Sequence, residues 1–288
     1  MSTQSRTSRV PGYTPMSEGK RVSGAVQVYS TQARDQIHAI GQRFFREMGI
    51  SNFMDDVFCC VDELIKNAVK ANYKLLLIME HMYGMNARMN PGASPQEIRN
   101  AILDTLSDRN AYDNIAAEII RRDNISGMVR EVLNEEARHL AVKNRVYQEN
   151  RAYSPDEREV LSRLKNLQKI RAGMKERDFK IVLTMEANEG VIYISVTNTA
   201  PILSNDLARI LEKRREHRQC REEGREYEFF VNNIDTSESG FGLGYATIDC
   251  HLLNMGINPE HAIDIDSNRD TTVRLALPIE ALMKKCDP

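Results

Sequence analysis

The hydrophobic period of this 288-residue chain changes near Arg177, and that change limits the folds open to it. From Thr31 to Arg177 apolar residues recur at close to 3.6, the period of a helix with one buried face. Beyond Arg177 "DFKIVLTMEAN" and "GVIYISVTNT" alternate at period 2, as strands with one buried face do. Glu189-Gly190 between them predicts a tight hairpin. "AIDIDS" and "TTVRLALPIEAL" repeat the pattern around an Asn-Arg-Asp turn. Long helices followed by hairpins exclude an alternating parallel βαβ chain. They predict an α+β sandwich with helices on one face of a mixed, largely antiparallel sheet.

Upstream, "GAVQVYS" (24–30) reads as a short strand, and "TQARDQIHAIGQRFFREMG" (31–49) as a helix capped at Thr31 and stopped at Gly49. A second helix starts at Ser51 or Asn52 and continues through Lys70 to His81 or beyond. Ser-Pro openers at 94–95 and 154–155 predict helices over 94–108 and 154–177, with a further one over 125–153. Residues 86–177 thus form a large helical insertion between residues 24–85 and 178–288. Helices of this length serve as dimerisation or docking surfaces, or as additional core. Residues 1–23, rich in Ser, Thr, Arg, Pro and Gly, read as a disordered arm.

Composition narrows the function. A formal charge of −2 favours neither nucleic acid nor membrane. No run of eighteen apolar residues occurs, and the N-terminus lacks the apolar region of a secretory signal. Five cysteines with no C-x-x-C pair argue against a disulfide scaffold or zinc motif and suit a reducing cytoplasm.

Two stretches carry chemistry. In "VDELIKNAVKAN" (61–72), steps of about 100° per residue place Asn67 about 40° and Lys70 about 340° from Glu63. Val61, Leu64, Ile65 and Ala68 fall on the far side, between roughly 100° and 200°. An acid, an amide and a base therefore share one stripe. In "ESGFGLGYATID" (238–249), Gly240, Gly242 and Gly244 precede a helix, where glycine admits close approach and free N–H groups can meet phosphate.

Together these stretches resemble the GHKL ATPases, the superfamily of gyrase, heat-shock chaperone, histidine-kinase and mismatch-repair ATPases. "ELIKNAVK" is similar to the N-box, "GFGLGYATI" to the G2 box, and "DTTVRLALP" (270–278) to the closing strand, with Thr271 on its threonine. The resemblance covers about 24–80 and 179–280. It implies a Bergerat-type α/β sandwich, with residues 24–85 and 178–288 as the histidine-kinase-like ATP-binding domain. ATP and Mg²⁺ are the implied cofactors.

By the resemblance, Asn67 coordinates Mg²⁺ through its amide oxygen, Glu63 orients or deprotonates the attacking group, and Lys70 lies on the phosphate side. The loop Gly240, Gly242, Leu243 and Gly244 matches the hinge and phosphate cradle, and Thr271 is a further cofactor-binding position. "VTNTAPIL" (196–203) stands where the family has V-x-D-N-G-x-G-I. Asn198 replaces the aspartate that accepts from the adenine amino group, and Ala200 and Ile202 replace two glycines. Lys213, Arg214, Arg215 and Arg218 fall where the family has its ATP lid. They either help hold the triphosphate or form a solvated face with Glu212, Glu216, Glu222 and Glu223.

The front end resembles anti-sigma-factor serine kinases more than sensor kinases, because no phosphoacceptor hairpin precedes the N-box. His38, His81 and His139 read as ordinary surface or core histidines; His139, one turn after Glu135 and Glu136, is the first of them to test. The implied function is a cytoplasmic, two-component-like protein kinase of signal transduction. Its partner would be a sigma factor, an anti-sigma antagonist or a receiver domain, with a homodimer through 86–177 also open. The competing implication is an anti-sigma-like or adaptor module whose nucleotide site is degenerate.

Overall fold

The computed structural model describes residues 20–233 and 243–284. Most of the arm, Gly240 and Gly242 lie outside them. Twelve α-helices and one five-stranded sheet make up an α+β fold among these residues. β1 (Lys20–Val26) leads into α1 (Thr31–Glu47), a 3-10 turn (Ser51–Phe53) and the 36-residue α2 (Met54–Met89). The insertion supplies α3 (Pro95–Ser107), α4 (Arg109–Arg122), α5 (Ile125–Gln148), α6 (Pro155–Arg163) and α7 (Lys165–Glu176). Then follow β2 (Ile181–Asn188), β3 (Val191–Asn198), α8 (Ser204–Glu222), α9 (Glu226–Asn233) and α10 (Leu243–Asn254). The chain closes with α11 (Pro259–Ala262), β4 (Ile263–Ser267), β5 (Thr271–Pro278) and α12 (Ile279–Lys284).

The sheet order is β1-β2-β3-β5-β4, and every described pairing is antiparallel. The expected mixed sheet is corrected on this point: each neighbouring pair is joined as a hairpin or by a helical excursion that returns in the opposite sense. Glu189 and Gly190 both take positive φ (49° and 78°), the geometry of a two-residue hairpin. Alternate residues of β2, β3 and β5 are buried, so one face of the sheet carries the core. Asn198 and Thr271 are cross-strand partners on that buried face, at the end of the sheet.

α2 spans about 54 Å at 1.5 Å per residue, enough for two tasks. Its first half buries Val61, Leu64, Ile65 and Ala68 against the sheet and α10. Its second half buries Leu75, Leu76, Ile78 and Met82 with the insertion helices. Ile102, Tyr112, Ile119, Leu167 and Ile170 of the insertion belong to the same hydrophobic cluster as the sheet residues. The residues of 86–177 therefore serve as additional core.

Several boundaries differ from the sequence reading. The first strand runs over 20–26 rather than 24–30, so the proposed arm ends earlier. As an edge strand it is bounded by its partner, from Lys20 opposite Ala187 to Val26 opposite Ile181. Ser30, not Thr31, caps α1, accepting from Ala33 N at 3.2 Å. The single helix over 154–177 is two, broken at Leu164, whose backbone leaves the helical region (φ −79°, ψ 60°) while its side chain is buried. Ser94 and Ser154 each form the full capping box that their Ser-Pro openers suggest.

Candidate functional site

The acid–amide stripe of α2 faces the first turn of α10. A Cβ added to Gly244 lies 3.0 Å from Glu63 Oε2 and 3.1 Å from Asn67 Nδ2. A Cβ there would press on both side-chain ends, which would have to give by a few tenths of an ångström. Glu63 accepts from Lys66 Nζ at 2.7 Å. Asn67 is 9% exposed, yet among the described residues its amide makes no hydrogen bond. Its amide is not among the fully buried side-chain atoms that lack a partner, so it faces solvent-accessible space beside α10, where water can satisfy it. The α10 N-terminus beside it contributes the positive end of a helix dipole.

A cavity opens beside Asn67 between α2, β3, β5, α8 and α10, lined in part by Asn67, Asn198, Thr271 and Tyr245. Asn198 donates to Ala200 O (3.0 Å) and to Asn72 Oδ1 (3.4 Å), while Ala200 N donates to the same Asn72 oxygen (3.1 Å). Thr271 Oγ1 donates to Ala200 O at 2.8 Å. These bonds fix the 198–200 turn against α2 and the start of β5. The Asn198 oxygen accepts no hydrogen bond from any described residue, which leaves it free as an acceptor.

The cavity holds only about 40 Å³, room for about three or four waters at about 10–15 Å³ each, not for a purine. The insertion closes it. Buried Tyr112 of α4 lines it, and Arg109 donates to Ile202 O and lies 3.2 Å from Asp113 in an ion pair. Asp113 in turn accepts from Ser204 N (3.2 Å) and Oγ (2.5 Å). Lys74 of α2 and Asp206 of α8, both with 13% of the side chain exposed, pair at 2.6 Å on the same wall.

The structure thus brings Glu63, Asn67 and Gly244 into contact, and Asn67, Asn198 and Thr271 onto one cavity. Lys70 does not line it. This lysine is half-buried on α2 with no ion pair within 4 Å among the described residues, and burial lowers its pKa. Leu243 begins α10 and is half-buried. The basic run is mostly structural. Arg214 makes a bidentate ion pair with buried Asp249, Arg218 pairs with Glu260, and only Lys213–Glu216 follows the local helical spacing.

Sequence reasoning missed Asn72, Tyr112, Arg109 and Asp249. Asn72 had a signal: it falls about 180° from Glu63, inside the apolar arc of α2, where an unexplained amide marks a buried polar partner. The bonds of Arg109 to Ile202 and Ser204 join residues 93 and 95 positions apart, and they left no local trace.

His139 stands apart from this site. Its Nε2 lies 3.2 Å from Arg171 Nη1, while Glu136 bonds Tyr73 Oη (2.8 Å) and Arg171 (3.3 Å). Burial, then the Arg171 and Lys143 charges, lower its pKa to about 4. The folded value is below the ordinary 6.5, so the unfolded chain takes the proton first as pH falls. Stability from this group is therefore full above 6.5 and lost on the way to about 4. His139→Gln is expected to flatten the pH dependence of the urea midpoint across that window.

Compared with family models, curated proteins and solved structures, the chain matches none. No helix among the described residues is long and apolar enough to cross a membrane.

Proposed function

We propose that this chain binds Mg²⁺–ATP between α2 and α10 in a Bergerat-type fold of the GHKL class, and that it passes the γ-phosphoryl to a partner protein. The observation that carries the reading is the contact of Gly244 with Glu63 and Asn67, two stretches nearly 180 positions apart, around an amide with no protein partner. The residues fit the group at the phosphate and metal end. Asn67 Oδ1 is a hard oxygen donor suited to Mg²⁺. The α10 N-terminus, which begins with Leu243 and Gly244, suits phosphate; Gly240 and Gly242 lie outside the described residues. Lys70, held half-buried without an ion pair, supplies positive charge on the same helix face. Asn198 Oδ1 is the acceptor for an exocyclic amine, and Thr271 holds the turn that presents it.

Bound Mg²⁺–ATP supplies the activated phosphoryl group. The chain's own share is positioning and charge placement. Glu63, salt-bridged to Lys66, is placed to orient the incoming acceptor and to take its proton. The α10 amides and Asn67 hold the phosphate end.

A second reading keeps the fold and drops the catalysis: an anti-sigma-like or adaptor module. The cavity filled by Tyr112 and the Arg109–Ile202 contact favour it. Titration calorimetry with Mg²⁺–ATP decides between the two. Stoichiometric heat with transfer of label from γ-labelled ATP to a sigma factor, an anti-sigma antagonist or a receiver domain supports the kinase. No heat up to millimolar nucleotide ends it.

Gly244→Ala tests the contact directly. The intruding methyl meets two side-chain ends that can yield by a few tenths of an ångström, and alanine is better in a helix than glycine by about 1 kcal/mol. The thermal midpoint is expected to hold or rise while Mg²⁺–ATP affinity falls about tenfold, a loss of about 1.4 kcal/mol. Scanning calorimetry and titration on the same sample separate the two effects.

A further inference from the structure

Beyond the nucleotide site, one cluster of metal-ligating side chains remains unexplained. His217 of α8, Glu226 of α9 and Cys250 of α10 bring their ligand atoms within 4.8 Å of one another. His217 Nε2 lies 2.9 Å from Glu226 Oε1, Cys250 Sγ lies 3.2 Å from the same oxygen, and Cys250 Sγ lies 3.5 Å from the same nitrogen. The three atoms form a closed triangle.

Hydrogen bonds account for two edges of that triangle and leave the third as a bare contact. The imidazole N–H and the thiol can both donate to the carboxylate oxygen, which serves two edges. The third edge, sulfur to nitrogen, then holds no proton, although its atoms are at contact distance. A nucleophilic triad is also excluded by geometry. Thiol and carboxylate both face Nε2, whereas a relay needs them on opposite ring nitrogens.

A metal at the centre satisfies all three edges. Bond lengths of roughly 2.0–2.3 Å to N, O and S at tetrahedral angles put the ligand atoms about 3.3–3.6 Å apart; the sulfur–nitrogen edge at 3.5 Å matches, and the two edges to Glu226 Oε1, at 2.9 and 3.2 Å, need that partly exposed carboxylate to move outward by a few tenths of an ångström. Neutral imidazole, carboxylate and thiolate sum to two negative charges, so a divalent ion makes the buried site neutral and inexpensive to bury. His217 is 1% exposed, with the Phe229 and Phe230 rings 5.1 and 5.4 Å from its own, while 40% of the Glu226 side chain faces solvent. The first gives a rigid, apolar wall and the second an entry path and an open fourth position.

We propose that His217, Glu226 and Cys250 form a three-ligand site for one borderline-soft divalent ion of the zinc class, joining α8, α9 and α10. The mixed nitrogen, oxygen and sulfur set selects zinc over magnesium or calcium, which take oxygen ligands. The inference uses no residue of the nucleotide site and stands or falls separately from it.

Cobalt(II) is the probe, because it reports thiolate ligation and tetrahedral geometry by absorption. The untagged full chain, reduced and stripped with chelator, is titrated anaerobically with Co²⁺ in the absence of nucleotide. One equivalent is expected to raise a sulfur-to-cobalt charge-transfer band and intense visible bands, both removed by one equivalent of Zn²⁺. Cys250→Ser abolishes the charge-transfer band, and Cys59→Ser, at an exposed cysteine, keeps it. Glu226→Gln weakens binding by more than the roughly 10–100-fold that losing a supporting hydrogen-bond partner costs a metal site. The proposal is overturned if the wild-type chain gives no charge-transfer band at one equivalent, or if the band persists in Cys250→Ser. The wild-type titration can overturn it alone, so a variant that fails to fold does not rescue it.

Discussion

Asn67→Ala is expected to lower Mg²⁺–ATP affinity by about a hundredfold or more, about 2.7 kcal/mol, and to leave the fold intact. Both halves follow from the same fact. The Asn67 amide gives no hydrogen bond to any described residue, so its removal strands no protein partner, and stability is expected to move by less than about 1 kcal/mol. An oxygen ligand to a hard cation has no substitute in alanine, and the neighbouring Gly244 cannot supply one. Calorimetric titration with and without Mg²⁺ gives the first quantity, and urea denaturation the second. Unchanged affinity with Mg²⁺ present would remove Asn67 from the site.

Arg214→Ala produces the largest expected loss of stability, about 3–5 kcal/mol. Asp249 is 5% exposed and takes both guanidinium arms, with contacts of 2.9–3.1 Å, and Arg214 also donates to Pro259 O at 3.0 Å. Deleting the arginine leaves a carboxylate buried without its counter-charge. Replacing the pair, as Arg214→Met with Asp249→Leu, is expected to recover most of the loss, since the cost lies in the orphaned charge rather than in the missing attraction. Urea midpoints of the two single variants and the double variant form the required cycle. A single-variant cost below about 1 kcal/mol, the range of exposed pairs, would show that the pair is solvated after all.

The period switch near Arg177 made the α+β class legible, and the one-sided alternation of β2, β3 and β5 follows from it. The Ser-Pro openers located α3 and α6 because a capping box is a local device. Strand 20–26 was displaced in the reading because an edge strand's limits belong to its partner. Asn67 and Gly244 could be singled out separately by residue type and spacing. Their contact, and the face of Asn198 toward Asn72, depend on register and helix packing that no single window contains. Tyr112 in the cavity was illegible for a stronger reason: tyrosine at a helix-spaced apolar position reads as core wherever it sits. The His217–Glu226–Cys250 triangle assembles three helices with no motif spacing, and cysteine counting pointed away from a metal.

In the proposed nucleotide site, α4 occupies space that a base would need, and it is tied there by Arg109, Asp113 and Tyr112. Entry of a purine and departure of α4 are therefore one thermodynamic event. Whatever factor separates the nucleotide's affinity for the plugged and unplugged forms, a ligand that grips the displaced insertion must gain the same factor from nucleotide. The insertion helices would then act as the chain's receiver of signals, with occupancy of the pocket as the reply.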